Sequence, residues 1–192
     1  MTPRWILLFA LALLPPAHAD EAEEKGPQDD RVTVALDLFG EACVKQAGRL
    51  DQVATWALQH GVAELEPDRG AFFLHGMKGT VWSAPTDNGQ FVLVAREPAS
   101  CSVWAYRANA KEAETWLEKL LAHSVRQSDK VDKAFTREFD GAGGKYQLHA
   151  WRVRGDGAAL LFTLTTTESD ADDVPAQVII SVSPVADDNP AK

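Results

Sequence analysis

Apolar residues recur at helical spacing in three stretches of the chain. The first predicts a helix over about 32–46, with an apolar stripe made of Val32, Ala35, Leu36, Phe39 and Cys43. The second predicts a helix over about 51–60, with a stripe made of Val53, Trp56, Ala57 and His60. The third predicts a helix over about 110–123, with a stripe made of Ala113, Trp116, Leu117, Leu120 and Leu121.

Short runs rich in β-branched and aromatic residues, separated by turn residues, predict eight strands. They cover about 71–74, 79–83, 90–96, 101–107, 134–139, 145–154, 159–166 and 177–183. The sequence therefore predicts an α+β domain in the order α-α-β-β-β-β-α-β-β-β-β. About three helices are expected to pack on one face of an antiparallel sheet.

The N-terminus has the pattern of a signal peptide. Arg4 precedes an apolar run over 5–14, two prolines end the run, and Ala17-His18-Ala19 fits the small-x-small cleavage pattern. A membrane anchor is the alternative, but a spanning helix needs about 20 apolar residues, about twice this run. We expect cleavage after Ala19, and then three segments: a disordered acidic linker over 20–30, a single domain over 31–184 and a flexible tail over 185–192.

The balance of charge excludes some classes of partner. The chain has 28 acidic and 19 basic residues, and its formal net charge is −9. Nucleic-acid binding depends on cationic groups that neutralise phosphates, so we expect no nucleic-acid partner. The same argument disfavours binding to an anionic membrane surface once the signal peptide has been removed.

Cys43 and Cys101 are the only two cysteines. In an oxidising compartment such a pair is usually a disulfide, and closing a loop of this length stabilises the fold by roughly 4 kcal/mol in the chain-entropy model. A metal-binding pair and a catalytic thiol are the alternatives, although the wide spacing is unlike that of zinc ligands. A disulfide would leave no thiol for catalysis.

No familiar catalytic motif is present. The sequence has no G-x-S-x-G, and its histidines are scattered without metal-ligand spacing. The acidic stretch 168–173 lacks the glycine and the closing glutamate of a calcium-binding loop, which favours a solvated loop. The glycines over 141–144 lie between two strand patterns, which favours a hairpin over a phosphate-binding loop. We therefore assign no catalytic, metal-binding or cofactor-binding residue and expect no cofactor.

The alternation of side chains along the strands indicates one candidate surface. If Cys101 is bonded to the first helix, Trp104 and Tyr106 point to the opposite, outer face of the sheet. In the long strand after the glycine-rich turn, the apolar alternation leaves His149 and Trp151 outward as well. We expect these four residues to form an interaction surface on an open sheet face. The alternative is that a loop covers this face, or that some of these aromatic residues belong to the core.

Several motifs occur together in the first two thirds of the chain. They are a helix bearing a cysteine (Leu38, Phe39, Cys43), a short second helix, a Gly-x-x-Trp strand (Gly79, Trp82) and the strand 101–104 before a helix. This combination, over about 32–123, resembles a family of small exported proteins of proteobacteria whose functions are largely uncharacterised. The resemblance implies a periplasmic setting, supports a Cys43–Cys101 bridge and supplies no catalytic residues. Some members are lipoproteins, whereas this sequence lacks the lipid-accepting cysteine.

The expected function is that of a non-catalytic binding or interaction protein of the periplasm, which includes inhibitor-like and immunity-like roles. Another envelope or exported protein is the expected partner. A small cell-envelope hydrolase and a small-molecule carrier are the alternatives, so enzyme activity stays open. A histidine bonded to a hydroxyl or a carboxylate in a deep pocket would favour the hydrolase, and a closed apolar cavity would favour the carrier.

Overall fold

The computed structural model describes residues 29–124, 130–155 and 158–186. The predicted signal peptide, the linker as far as residue 28 and the tail from residue 187 lie outside these residues. The helices are α1 (Asp30–Leu38), which continues as a π-helical turn (Phe39–Val44), α2 (Leu50–Gln59), α3 (Pro67–Leu74) and α4 (Ala110–Ser124).

The described strands form one antiparallel sheet in the order β1-β2-β3-β4-β8-β7-β6-β5. Their bounds are β1 (Ala63–Glu64), β2 (Gly79–Ser83), β3 (Phe91–Arg96), β4 (Ser100–Ala105), β5 (Lys130–Gly141), β6 (Gly144–Gly155), β7 (Ala158–Thr166) and β8 (Val178–Val185). The α+β class and the antiparallel sheet are confirmed. Two of the predicted strand assignments differ: a helix occupies the stretch predicted as a strand over 71–74, and β1 lies outside the predicted strands.

The main core lies between the sheet and a layer made of α1, the π-helical turn, α2 and α4. Val32, Ala35 and Phe39 on the first helical stripe are fully buried, and the ring of Phe39 lies edge-on to Phe162 of β7 at 6.1 Å between centroids. On the sheet, the row that runs across the central strands is Trp82, Leu93, Val103, Ile180 and Leu164. We call this side of the sheet the helix face and the opposite side the outer face.

A disulfide joins Cys43 in the π-helical turn to Cys101 in β4, as predicted, with 5.3 Å between the Cα atoms. Both cysteines are buried in the main core, so the bond fixes the helix face of β4 as the inner one. Cys101, Val103 and Ala105 therefore point inward, in agreement with the alternation predicted from the sequence.

Helix α3 packs on the outer face and covers the strands β2 to β4. Pro67 begins the helix, where its missing N–H has no cost, and Asp68 lies in the first turn. Phe73 and Leu74 of the helix pack on a small outer-face cluster that contains Val81, Val94, Trp104 and Ala176. The prediction that the helices gather on one face is therefore wrong for α3. Pro67 followed by Asp68 is the local signal that indicates a helix start here.

Asp29 connects the N-termini of α1 and α4. Its carboxylate accepts hydrogen bonds from the backbone and side-chain nitrogens of Arg31 and from the backbone N–H of Asn109. Its own N–H donates to Glu112 at 2.9 Å. The predicted linker therefore ends before Asp29, because this residue caps the first helix. Among the described helices, none has the length and apolar character needed to cross a bilayer.

We expect the double substitution Cys43→Ser with Cys101→Ser to lower the free energy of unfolding by about 2–5 kcal/mol, because the cross-link restricts the unfolded chain. Urea denaturation measures the loss. A reductant should lower the stability of the wild-type protein to a similar degree and leave the double variant unchanged. A double variant as stable as the oxidised protein would contradict the assigned role of the bond.

Substitution of Asp29 should cost stability in a pH-dependent way. Burial raises the pKa of Asp29, but hydrogen bonds from Arg31 and Asn109 and the charge of Arg31 outweigh it and hold the pKa below its usual value of 3.8. The stabilisation is therefore fully present above about pH 4 and is lost as the pH falls through the lower, folded pKa. We expect Asp29→Asn to cost about 1 kcal/mol at neutral pH, and this difference from wild type should shrink at low pH. Urea denaturation of the wild type and of Asp29→Asn at neutral pH and at low pH tests this. The substitution Asp172→Asn, at an exposed position, is the control.

Candidate functional site

The structure places the four predicted surface residues on both sides of the sheet. His149 and Trp151 of β6 lie on the helix face, where they are 5% and 4% exposed. Trp104 of β4 lies on the outer face, but α3 covers it and leaves 8% exposed. Tyr106 follows β4 and is half-buried. The predicted single surface is therefore wrong, because only Trp104 and Tyr106 share the outer face.

The error arises from the phase of β6. His149 lies opposite Leu164, and Leu164 lies opposite Ile180, so His149 belongs to the helix-face row. Tyr146 and Ala150, which point the other way, are also buried. A strand that is buried on both faces has no polar face, and alternation alone cannot tell which side meets the helices.

His149 lies between a hydroxyl and a carboxylate. Its Nδ1 is 3.4 Å from Oγ1 of Thr136 in β5, and its Nε2 is 3.3 Å from Oε1 of Glu114 in α4. The ring stacks on Trp151 with 5.9 Å between centroids. This order of groups resembles a nucleophile, a base and its orienting acid. Both distances are long for hydrogen bonds. A groove lies nearby between α4 and the β5–β6 hairpin, and His149 is not among the residues that line it.

The same contacts attach α4 to the β5–β6 hairpin. Lys133 of β5 lies 3.6 Å from Glu118 of α4 and 5.7 Å from the centre of the Trp151 ring. Together with the His149–Glu114 contact, this gives the hairpin two polar links to one flank of the helix. The arrangement holds the hairpin in place, which a buried histidine with a carboxylate partner does without any chemistry.

Trp104 and Tyr106 line a cleft of about 380 Å³ on the outer face, between α3 and the ends of β3 and β4. We call it the outer-face cleft. Its aromatic and proline walls are formed by Phe73, Trp104, Tyr106, Pro85 and Pro175. Its polar lining is formed by Arg69, Ser83 and Gln90. The cleft thus combines flat apolar walls with a few polar groups, a composition typical of binding sites.

Trp104 forms a rigid part of the cleft wall. Phe73 of α3 meets its ring edge-on at 5.1 Å, and Phe72 lies 6.4 Å away. The indole Nε1 donates to Oγ of Ser102 at 3.2 Å, so the polar atom of the ring already has a partner. Phe72 remains 54% exposed and extends the aromatic surface beyond the cleft.

The polar groups of the cleft are free to bind a ligand. Within the described part of the chain, the side chains of Arg69, Ser83, Gln90 and Tyr106 make no hydrogen bond to one another or to other groups. The Arg107 guanidinium lies 5.3 Å from the centre of the Tyr106 ring, on which it can stack as a cation on a π face. These donors and acceptors surround apolar walls that are already ordered by packing.

The glycine-rich and acidic segments have structural roles. The glycines over 141–144 form the β5–β6 turn, as predicted, and a Cβ on Gly143 would clash with the side chain of Val174. The acidic loop is held beside this turn, because Thr167 Oγ1 donates to the carbonyl of Lys145 at 2.7 Å. Burial and the charge of Asp173 raise the pKa of Tyr146, whose hydroxyl donates to Ala142. No group of three or more metal-ligating side chains occurs within the described ranges.

The fold and the cleft define a disulfide-linked α+β domain with helices on both faces of an eight-stranded sheet and an open aromatic cleft on the outer one. Comparison with protein-family models, with curated proteins and with solved structures finds no match to this chain. The resemblance to exported proteobacterial proteins stays a prediction.

We expect His149→Ala to lower the free energy of unfolding by about 2 kcal/mol, because it removes a buried ring and its contact with α4. Thr136→Val, which keeps the shape of the side chain, should change stability by less than about 0.5 kcal/mol, since the long hydroxyl contact contributes little. Urea denaturation of both variants measures the two effects. Equal losses would show that the hydroxyl contact is stronger than its length indicates.

Proposed function

We propose that the protein is a non-catalytic binding protein of the periplasm and that it contacts another envelope or exported protein through the outer-face cleft. The observation that carries this proposal is the cleft itself. Tyr106, Arg69 and Gln90 provide hydrogen-bonding groups without partners among the described residues, beside apolar walls fixed by packing. Inhibitor-like and immunity-like roles belong to this class of function.

The composition of the cleft and its rim favours a protein ligand. Aromatic residues and arginine are enriched at the centres of protein interfaces, where a few of them carry most of the binding energy. Here Tyr106 and Arg69 lie in the cleft, and the exposed ring of Phe72 continues from Trp104 along α3. A partner loop seated in the cleft would also cover Phe72.

The proposed location is supported by the disulfide and by the sequence of the N-terminus. The Cys43–Cys101 bond is of the kind that forms and persists in oxidising compartments. Residues 1–19 have the signal-peptide pattern, and the resemblance to exported proteins of proteobacteria agrees with it. The periplasm is the compartment that fits all three.

Two other functions would use other parts of the molecule. A hydrolase would depend on the Thr136, His149 and Glu114 contacts, and a carrier on the apolar groove of about 420 Å³ that Leu36 and Trp116 line between α1 and α4. Neither requires the outer-face cleft. Substitutions in the cleft therefore separate the proposed function from these alternatives.

The test is affinity capture from envelope extract with the mature, oxidised protein, followed by calorimetry with the purified partner. We expect one stoichiometric partner, and we expect Tyr106→Ala to weaken its binding by about tenfold or more. The matched control is Leu58→Ala, because Leu58 is 81% exposed on α2, on the other side of the sheet.

Three results would overturn the proposal. The first is a partner that binds the Tyr106→Ala and Leu58→Ala variants equally well. The second is saturable binding of a small molecule in the absence of any protein partner. The third is substrate turnover that is lost in Thr136→Val or His149→Ala.

A further inference from the structure

β5 is a long edge strand, and it lies at the far side of the sheet from the outer-face cleft. It has 12 residues, all of them exposed, and it pairs only with β6 among the described strands. The other edge strand, β1, has only 2 residues. An edge of this length presents backbone N–H and C=O groups to which another strand can pair.

Beyond a β-bulge near its start, β5 pairs regularly with β6. The register with β6 shifts between Lys133 and Phe135 and then runs without interruption to Gly141. No proline interrupts the strand. A partner strand could therefore pair along residues 135–141 without meeting the bulge, and the bulge would limit pairing beyond it.

Two exposed phenylalanines lie on the outer face of this edge. Phe135 and Phe139 are 44% and 41% exposed, and both lie on the outer face because they stand opposite Ala150 and Tyr146. Phe139 stacks on Tyr146 at 5.4 Å between ring centroids. Arg137 lies between the two phenylalanines. An added strand with apolar residues on this face would cover both rings.

The helix face of the edge carries an excess of acidic groups. Glu138 and Asp140 lie on this face of β5, and Glu114 and Glu118 lie on the flank of α4 that contacts the hairpin. The basic groups here are Lys133, paired with Glu118 at 3.6 Å, Lys145, paired with Asp140 at 3.5 Å, and Lys111. Glu138 has no ion-pair partner within the described part of the chain.

A groove opens on the helix face beside the end of β5. Its volume is about 720 Å³, and it lies between the first half of α4 and the β5–β6 hairpin. Its charged lining is Lys111, Glu114, Glu138, Lys145 and Glu168. Long side chains of an added strand that point to the helix face would enter this groove and meet Glu138.

We propose that β5 binds an extended segment of a partner protein by strand addition, and that this segment alternates apolar residues on the outer face with basic residues on the helix face. Main-chain hydrogen bonds supply affinity in this mode, and the alternate side chains supply selectivity. The charges of β5 limit indiscriminate pairing, as charged edge strands commonly do. The site is distinct from the outer-face cleft and goes beyond the proposed function.

Charge favours a segment of another protein over the N-terminal residues of this protein and over a second copy of it. Residues 20–28 contain four acidic residues and one lysine, so this segment is negatively charged and would repel the helix face of the edge. A second copy carries the same net charge of −9, which opposes association through this edge. A basic, amphipathic segment is the occupant that the charges of the edge complement.

The probe is a capped peptide of alternating lysine and valine, as long as the regular part of β5, with an alternating glutamate and valine peptide as its control. We expect the lysine peptide to bind the wild-type protein and to protect the amides of β5 from hydrogen exchange. Glu138→Lys should weaken this binding by about tenfold or more and should strengthen binding of the glutamate peptide. Glu64→Lys, which makes the same change of charge in β1, should leave both affinities unchanged.

The result separates this site from the other proposal and from dimerisation. Tyr106→Ala should leave peptide binding unchanged, because the cleft lies elsewhere. The inference is overturned if both peptides bind equally, if Glu138→Lys has no more effect than Glu64→Lys, or if exchange protection falls outside β5. Sedimentation that shows a dimer of the wild-type protein, lost in Glu138→Lys, would assign the edge to a second copy instead.

Discussion

The Cys43–Cys101 disulfide holds the first helical segment against β4, and β4 is the strand at which the two halves of the sheet meet. On one side it pairs with β3, its neighbour in sequence, and on the other with β8, the last strand. β4 therefore joins the strands β1 to β3 to the strands β5 to β8 in one sheet. Because Cys101 must face the helical layer, Val103 also faces it, and the rows of paired residues carry this choice across to β7 and β6.

The two faces of the sheet then acquire different roles. The helix face is filled by the main core, and α4 is attached to the β5–β6 hairpin through Glu114 and Glu118. The outer face is covered at one end by α3 and ends there in the outer-face cleft. At the other end the sheet stops at β5, whose Phe135 and Phe139 remain exposed. The two proposed binding surfaces therefore lie toward opposite ends of one sheet.

The sequence predicts the elements of the fold whose pattern of apolar residues matches the side of the element that is buried. The stripes of the first helix and of α4 are each buried on one side only, so periodicity identifies the face. β4 is buried on both faces, and there the bond to Cys101 identifies the inward one. Periodicity fails for β6, where Ala150 and Trp151 are both buried although they point in opposite directions. It fails at α3 because the apolar run that ends in Leu74 is too short to distinguish a helix from a strand. Of the four residues of the predicted surface, Trp104 and Tyr106 lie on the outer face, but α3 covers Trp104.

Asp29 also decides where this domain begins. A chain that starts at Asp29 keeps the hydrogen bonds from Arg31 and Asn109 to its carboxylate. A chain that starts one residue later loses the cap of α1 and the acceptor for the Asn109 N–H at the entrance to α4. The Asp29–Glu112 bond would be lost with it. A single position at the N-terminal boundary thus sets the shortest form of the protein that keeps both the cap of α1 and the hydrogen bond from Asn109.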